Sequence, residues 1–225
     1  MRFVKIRYFL IASVILSSFY GYIRSKKDTS VSYNIPNPIR VVKEDILLSS
    51  LGKMSEISIG SKDAPVTIVE YTSMTCFHCA DFHNGVFNKI EEKYIKTGKV
   101  RYIFRSFPID NISIVATILA RCAEIRSKGG YVGLLSLMFK NHEDFLKSKN
   151  LNETLFHISK LAGFSKNEFD ACKKNQEILN DVIKVKKIAT DKFLVDSTPS
   201  FFIGGKLYVG SMSESVFFKI IDSML

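Results

Sequence analysis

An apolar run rich in β-branched residues, Val66-Thr67-Ile68-Val69-Glu70-Tyr71, leads almost directly into a Cys-x-x-Cys, Cys76-Phe77-His78-Cys79. From the second cysteine, Phe82, Val86, Ile90 and Tyr94 recur at helical spacing as far as Thr97-Gly98, and Val100-Arg101-Tyr102-Ile103-Phe104 reads as another strand. The first run is nearly continuous in apolar character, which suits a strand covered on both faces. Strand, helix, strand in this order predicts a right-handed βαβ unit with a parallel pair. Both cysteines then fall at the strand-to-helix junction.

The rest of the chain extends that unit. Residues 111–192 offer helical stripes and no strand: Val115, Ile118, Cys122 and Ile125; a run from Tyr131 to Phe139; another from Leu151 to Ala162; Asn167 to Cys172; and Ile178, Val182, Val185 and Ala189. Thr198-Pro199 then leads into Ser200-Phe201-Phe202-Ile203, Gly204-Gly205 and Leu207-Tyr208-Val209, a hairpin pattern. Ser211 with Glu214 predicts a capping box for a last helix bearing Phe217, Ile220, Ile221 and Met224. The expected architecture is α/β: βαβ, a helical insertion, then ββα.

The formal charge of +10 over 225 residues suggests nucleic acid until it is located. Six basic residues and no acid lie in residues 1–27, leaving +4 elsewhere, with no basic stripe interleaved with aromatics, so nucleic-acid binding is not expected. The basic start precedes a 16-residue uncharged run, Tyr8 to Ile23. As a helix it spans roughly 24 Å, short of a bilayer core of about 30 Å. Residues 1–27 therefore read as an export signal or, because small residues are badly spaced for cleavage, as an uncleaved membrane anchor. Either places the rest in the periplasm, free or tethered to the inner membrane. Residues 28–54 read as a linker with an apolar patch, Ile46, Leu47, Leu48 and Leu51, or as an oligomerising stalk, and residues 55–225 as the domain.

In an oxidising compartment the four cysteines should pair. The two-residue gap favours Cys76 with Cys79, leaving Cys122 and Cys172 as a structural bridge between helices or as two buried thiols. Cys76 at a helix N-terminus meets unpaired N–H groups and the positive dipole end, which favour a thiolate, and His78 can add a charge or a donor. A structural bridge at Cys76–Cys79 or a zinc site of Cys76, His78, Cys79 and His83 are the competing readings, the latter lacking the paired spacing of known zinc modules.

The Cys-Phe-His-Cys after Glu70-Tyr71-Thr72-Ser73-Met74-Thr75, the insertion, and Thr198-Pro199 before a Phe-Phe-Ile strand resemble the DsbA family of exported thiol:disulfide oxidoreductases, over roughly residues 55–225. The resemblance implies a thioredoxin fold, a redox-active Cys76–Cys79 disulfide and a cis-proline at Thr198-Pro199 facing it. It also implies that Glu70 shuttles the proton of Cys79. Where the family has a buried lysine to match that acid, this chain offers Phe104 or Arg105. His83 reads as a packing residue. The implied partners are reduced or unfolded exported proteins and a membrane redox protein that resets the site, with no cofactor and no metal. The expected activity is disulfide formation. The alternatives are an oligomeric isomerase or reductase, and a periplasmic metal-binding chaperone.

Overall fold

The computed structural model describes residues 34–49 and 51–225. The expected signal or anchor and residues 28–33 of the expected linker lie outside these. No helix among the described residues is long and apolar enough to cross a membrane.

The central strand, β3 (Val66–Thr72), is flanked in the sheet by β4 (Val100–Ser106), parallel, and β5 (Ser200–Ile203), antiparallel. The sheet continues through β6 (Lys206–Val209) to β1 (Arg40–Val41) on one side and ends at β2 (Ile57–Ile59) on the other, in the order β1-β6-β5-β3-β4-β2. Strand alternation sorts the side chains onto two faces. Ile68, Tyr102, Phe104 and Phe201 pack on one, and Val69, Tyr71, Ile103 and Phe202 on the other. Gly204 and Gly205, both at positive φ, turn β5 into β6, as a two-residue hairpin demands.

The helix after the cysteines, α2 (Phe77–Phe82), runs on through a π-helical turn (His83–Phe87), Asn88–Ile90 and a second π turn (Glu91–Ile95). Its apolar stripe of Phe82, Ile90 and Tyr94 is buried on the first face, beside Phe217, Ile220 and Ile221 of α9 (Glu214–Asp222). That last helix is capped by Ser213, whose hydroxyl accepts from the Val216 N–H. The capping box expected of Ser211 and Glu214 does not form: the helix starts two residues later, and Val216, the third helical residue, has no side-chain acceptor to complete a box with Ser213. Met224 lies beyond the helix.

Between β4 and β5 come α3 (Asn111–Arg126), α4 (Gly130–Lys140), α5 (His142–Lys147), α6 (Leu151–Leu161), α7 (Lys166–Lys173) and α8 (Gln176–Phe193). Helix α8 joins the two halves of the domain: Ile178 and Val182 enter the core of the insertion, while Val185, Ala189 and Phe193 lie under the far face of the sheet. Ile125 is exposed, so the first expected stripe ends a turn early.

From Ile39 on, the segment read as a linker or stalk packs on the domain. Arg40 and Val41 pair with the edge strand β6, and α1 (Glu44–Leu47) carries Leu47 into the core under the sheet, where Leu51 also packs. Of the apolar patch read as a stalk, Leu47 and Leu51 are buried and Leu48 partly so, while Ile46 stays exposed. The physical reason is that α8 and the sheet leave an apolar trough that a short segment fills.

Candidate active site

Cys76 is the N-cap of α2. Its backbone is extended, and its sulfur accepts a hydrogen bond from the Cys79 N–H at 3.3 Å. As a thiol it donates to the Thr198 carbonyl at 3.4 Å. The Thr198–Pro199 peptide is cis, and through Thr198 the loop before β5 lies against the sulfur. Cys76 and Cys79 are unbridged here. Cys76 keeps 7% of its surface exposed and Cys79 none, so a partner can reach the first sulfur only.

The two thiols are driven apart in acidity. Cys76 is lowered from 9.0 to about 6, first by the hydrogen bond it receives from the Cys79 thiol, against the cost of burial, then by the Thr198 side chain and the N–H groups of Cys79 and His78. Cys79 is pushed well up by burial, by the proton it shares with Cys76 and by the negative charge of Glu70. At neutral pH the outer sulfur is a thiolate and the inner one a thiol. What His78 supplies to Cys76 is its backbone N–H; its ring is exposed and sits edge-on to Phe77, centroids 5.6 Å apart.

The loop before the motif is fixed from the insertion. The Thr75 hydroxyl donates to Asp110 at 2.7 Å, and the same carboxylate caps α3 by accepting from the Ser113 N–H. The Phe77 ring projects 59% exposed beside Cys76 and faces His142 at 6.2 Å across a cleft of about 470 Å³ between α2 and α5.

Glu70 points from β3 to the same face as α2 and is fully buried. Its carboxylate meets His83 Nε2 at 2.8 and 3.1 Å and accepts from the Tyr102 hydroxyl at 2.9 Å. His83 is therefore a polar partner where the sequence suggested packing. The signal was present: a buried acid needs a partner, and His83 lies one helical turn after Cys79, facing the sheet. Arg105 cannot serve, because Phe104 is in register with Glu70 and the next residue points to the opposite face. There it bonds Glu56 at 2.9 Å and the Tyr71 hydroxyl at 3.0 Å. With His83 turned inward and His78 outward, the four suggested zinc ligands do not converge. Among the described residues no group of three His, Cys, Asp or Glu is placed to hold a metal.

Cys122 of α3 and Cys172 of α7 are joined by a disulfide inside the insertion, away from the Cys76–Cys79 pair.

A family model described as Thioredoxin matches residues 53–223. A Rickettsia bellii protein provisionally named a protein-disulfide oxidoreductase is 32% identical over 152 residues, covering 67% of this chain and 58% of that protein. Its Rickettsia conorii counterpart is 31% identical over 176 residues, with 76% and 61% covered. The chain thus spans about three fifths of the length of these relatives. Among solved structures, alpha-DsbA1 of Wolbachia pipientis superposes with a TM-score of 0.72 at 29% identity, over 81% of this chain and 96% of that one. Oxidised BdbD of Bacillus subtilis shares the fold at 18% identity, with a TM-score of 0.66 and 85% and 98% covered.

Proposed function

The chain belongs to the thioredoxin family, in its DsbA-like branch, and on that premise we propose that it is a thiol:disulfide oxidoreductase that introduces disulfide bonds into exported proteins. The observation that carries the reading is the split between the two sulfurs, one ionised and reachable, the other protonated and enclosed. In the oxidised protein a substrate thiolate attacks Cys76, and Cys79 departs to give a mixed disulfide. A second substrate thiolate then attacks the substrate sulfur and releases Cys76, which leaves readily because it is stable as a thiolate. A fold that stabilises this thiolate stabilises the reduced form, and the bridge is correspondingly a strong oxidant.

The cis Thr198–Pro199 loop places backbone beside Cys76, where an extended substrate segment can pair with Thr198. Glu70 serves the proton of Cys79, on which its charge acts. A membrane redox partner returns the dithiol to the disulfide, and the basic, apolar start of the chain directs it to the periplasm. The packing of Leu47 and Leu51 into the domain speaks against these two leucines as the contact of an oligomeric isomerase.

The test is the reduction potential measured together with the Cys76 pKa. We expect a potential well above the roughly −270 mV of thioredoxin, a Cys76 pKa near 6, and rapid oxidation of a reduced, unfolded protein. A thioredoxin-like potential with an ordinary thiol pKa would overturn the oxidase reading. Copper or zinc held stoichiometrically by the reduced form, without catalysis, would select the metal chaperone instead.

A further inference from the structure

The cleft between α2 and α5 takes no part in the exchange steps, yet it opens beside the reactive sulfur. Phe77, the residue after Cys76, forms one wall with its ring 59% exposed, and His142 of α5 forms the other, the ring centroids 6.2 Å apart. An aromatic ring held in water gains the fold little, because the apolar surface it could bury stays wet. Beside a nucleophile, such a ring is placed to meet what arrives with the substrate.

The other two features of the cleft narrow what that is. His142 is 4% exposed, and its Nε2 has no hydrogen-bond partner among the described residues. Buried polar atoms are nearly always paired in folded proteins, so an unpaired ring nitrogen on a cleft wall points to a ligand as its partner. The rim is acidic on balance. Asp81 of α2 and Glu143 and Asp144 of α5 line it against a single Lys140, in a chain whose formal charge is +10. Glu143 is engaged by Lys147 at 2.7 Å. Asp81 and Asp144 are exposed and have neither a hydrogen bond nor an ion pair of their own among the described residues.

We propose that this cleft is a substrate subsite for a basic side chain, arginine above all, within two residues of the substrate cysteine that reacts with Cys76. This rests on the oxidoreductase reading above and adds a sequence preference to it. A guanidinium is planar, carries five donors and no acceptor, and stacks on aromatic faces. Here it lies against Phe77, donates to the His142 nitrogen as the two rings part, and meets the Asp81 and Asp144 carboxylates at its edge. Lysine brings the charge without the flat face and ranks second. Two residues of extended chain cover about 7 Å, so a peptide held at Cys76 and Thr198 can lay such a side chain over Phe77. An acidic flank meets the same carboxylates and is disfavoured. An apolar flank covers Phe77 but leaves the nitrogen and both carboxylates unpaired.

The experiment measures how fast the oxidised full chain reacts with short peptides that hold one cysteine and an Arg, Lys, Leu or Glu two residues before or after it. Each rate is corrected for the thiolate fraction of that peptide, because a neighbouring charge shifts its thiol. From one of the two positions, the Arg peptide should react about fivefold or more faster than the Leu peptide, with the Glu peptide slowest. The ratio of Arg to Leu rates is taken within each protein, so any change in Cys76 itself cancels. Phe77→Ala and Asp144→Asn should each bring that ratio to about twofold or less, and His142→Phe, which keeps a ring without the nitrogen, should lower it as well. Asp63→Asn removes the same charge from the turn at the opposite end of β3 and should leave the ratio at its native value.

Equal rates for the Arg and Leu peptides, or a faster Leu peptide, would overturn the proposal. So would an equal fall of the ratio in Asp63→Asn, which would trace the preference to the general field of the protein, or a ratio that survives Asp144→Asn. Asp144 is exposed and pairs with nothing in the fold, so this last variant carries the test should the Phe77 or His142 variants not fold. Peptides that fail to react with the bridge at all would overturn the oxidoreductase reading itself. Peptides that react without regard to their flank leave that reading standing and remove only the subsite.

Discussion

At the scale of single residues, the division of labour between Cys76 and Cys79 follows from two placements, a helix N-cap for one and a sealed interior for the other. The lowered pKa of Cys76 has a definite sign in stability. The group is an acid whose folded pKa, about 6, lies below its ordinary value of 9.0. It therefore stabilises the reduced fold fully above about pH 9, progressively less on acidification, and not at all below about pH 6. At pH 7 the contribution is on the order of 1 kcal/mol once solvent screening is allowed for. Denaturant unfolding of the dithiol and disulfide forms should show the dithiol form gaining on the disulfide form from pH 6 to 9. A constant difference across that range would mean that Cys76 is not held as a thiolate. Cys76→Ser should abolish exchange, read as loss of glutathione reactivity. The placement of the two cysteines, one capping the helix and one a turn inside it, was legible from their spacing after an apolar strand. The partner of Glu70 was legible only in part: spacing puts His83 on the side of Cys79, but whether its ring meets a strand acid depends on rotation of the helix, and here a π turn begins at His83.

At the scale of elements, the helical insertion is tied to the active-site loop and to itself by separate devices. Asp110 spans Thr75 and the start of α3, while the Cys122–Cys172 bridge links α3 to α7 across a separation of 50 residues. Closing a loop of that size removes freedom from the unfolded chain, a contribution of about 2–4 kcal/mol. Cys122→Ser should therefore lower stability in denaturant by about that amount while leaving the glutathione reaction of Cys76 at its native rate. Loss of reaction at unchanged stability would reverse the roles assigned to the two pairs. The helices of the insertion were readable because each carries a stripe of apolar residues. The short α5 was not, since six residues with two acids at the start carry no periodic signal. The same limit hid β2, whose Ile57 and Ile59 acquire their meaning only by pairing antiparallel with β4.

At the scale of the whole molecule, the sequence order of βαβ, helices and ββα was enough to specify the sheet around β3, because β-branched runs, a glycine pair and right-handed crossover leave few topologies. It did not specify the edges. Residues 40–51 look like a polar linker with a few leucines, and nothing in their local pattern shows that α8 and the sheet leave space for them. In the structure Arg40–Val41 extends the sheet beyond β6, Leu47 and Leu51 are buried, and the Asp181 carboxylate of α8 accepts from the Lys53 N–H at 2.6 Å. These contacts make the segment a brace across the face of the sheet opposite the cysteines, which bears on oligomerisation. A stalk that mediated assembly would show its leucines to a second chain. A brace hides them, so its loss should be felt as instability. Leu47→Ala or Leu51→Ala should each cost about 2–5 kcal/mol in denaturant unfolding, because the trough can collapse only partly around the missing methyl groups. Light scattering should give the same mass for the native chain and for either variant. A variant that kept its stability but changed its mass would restore the stalk, and with it the oligomeric isomerase that the packing of these two leucines argues against.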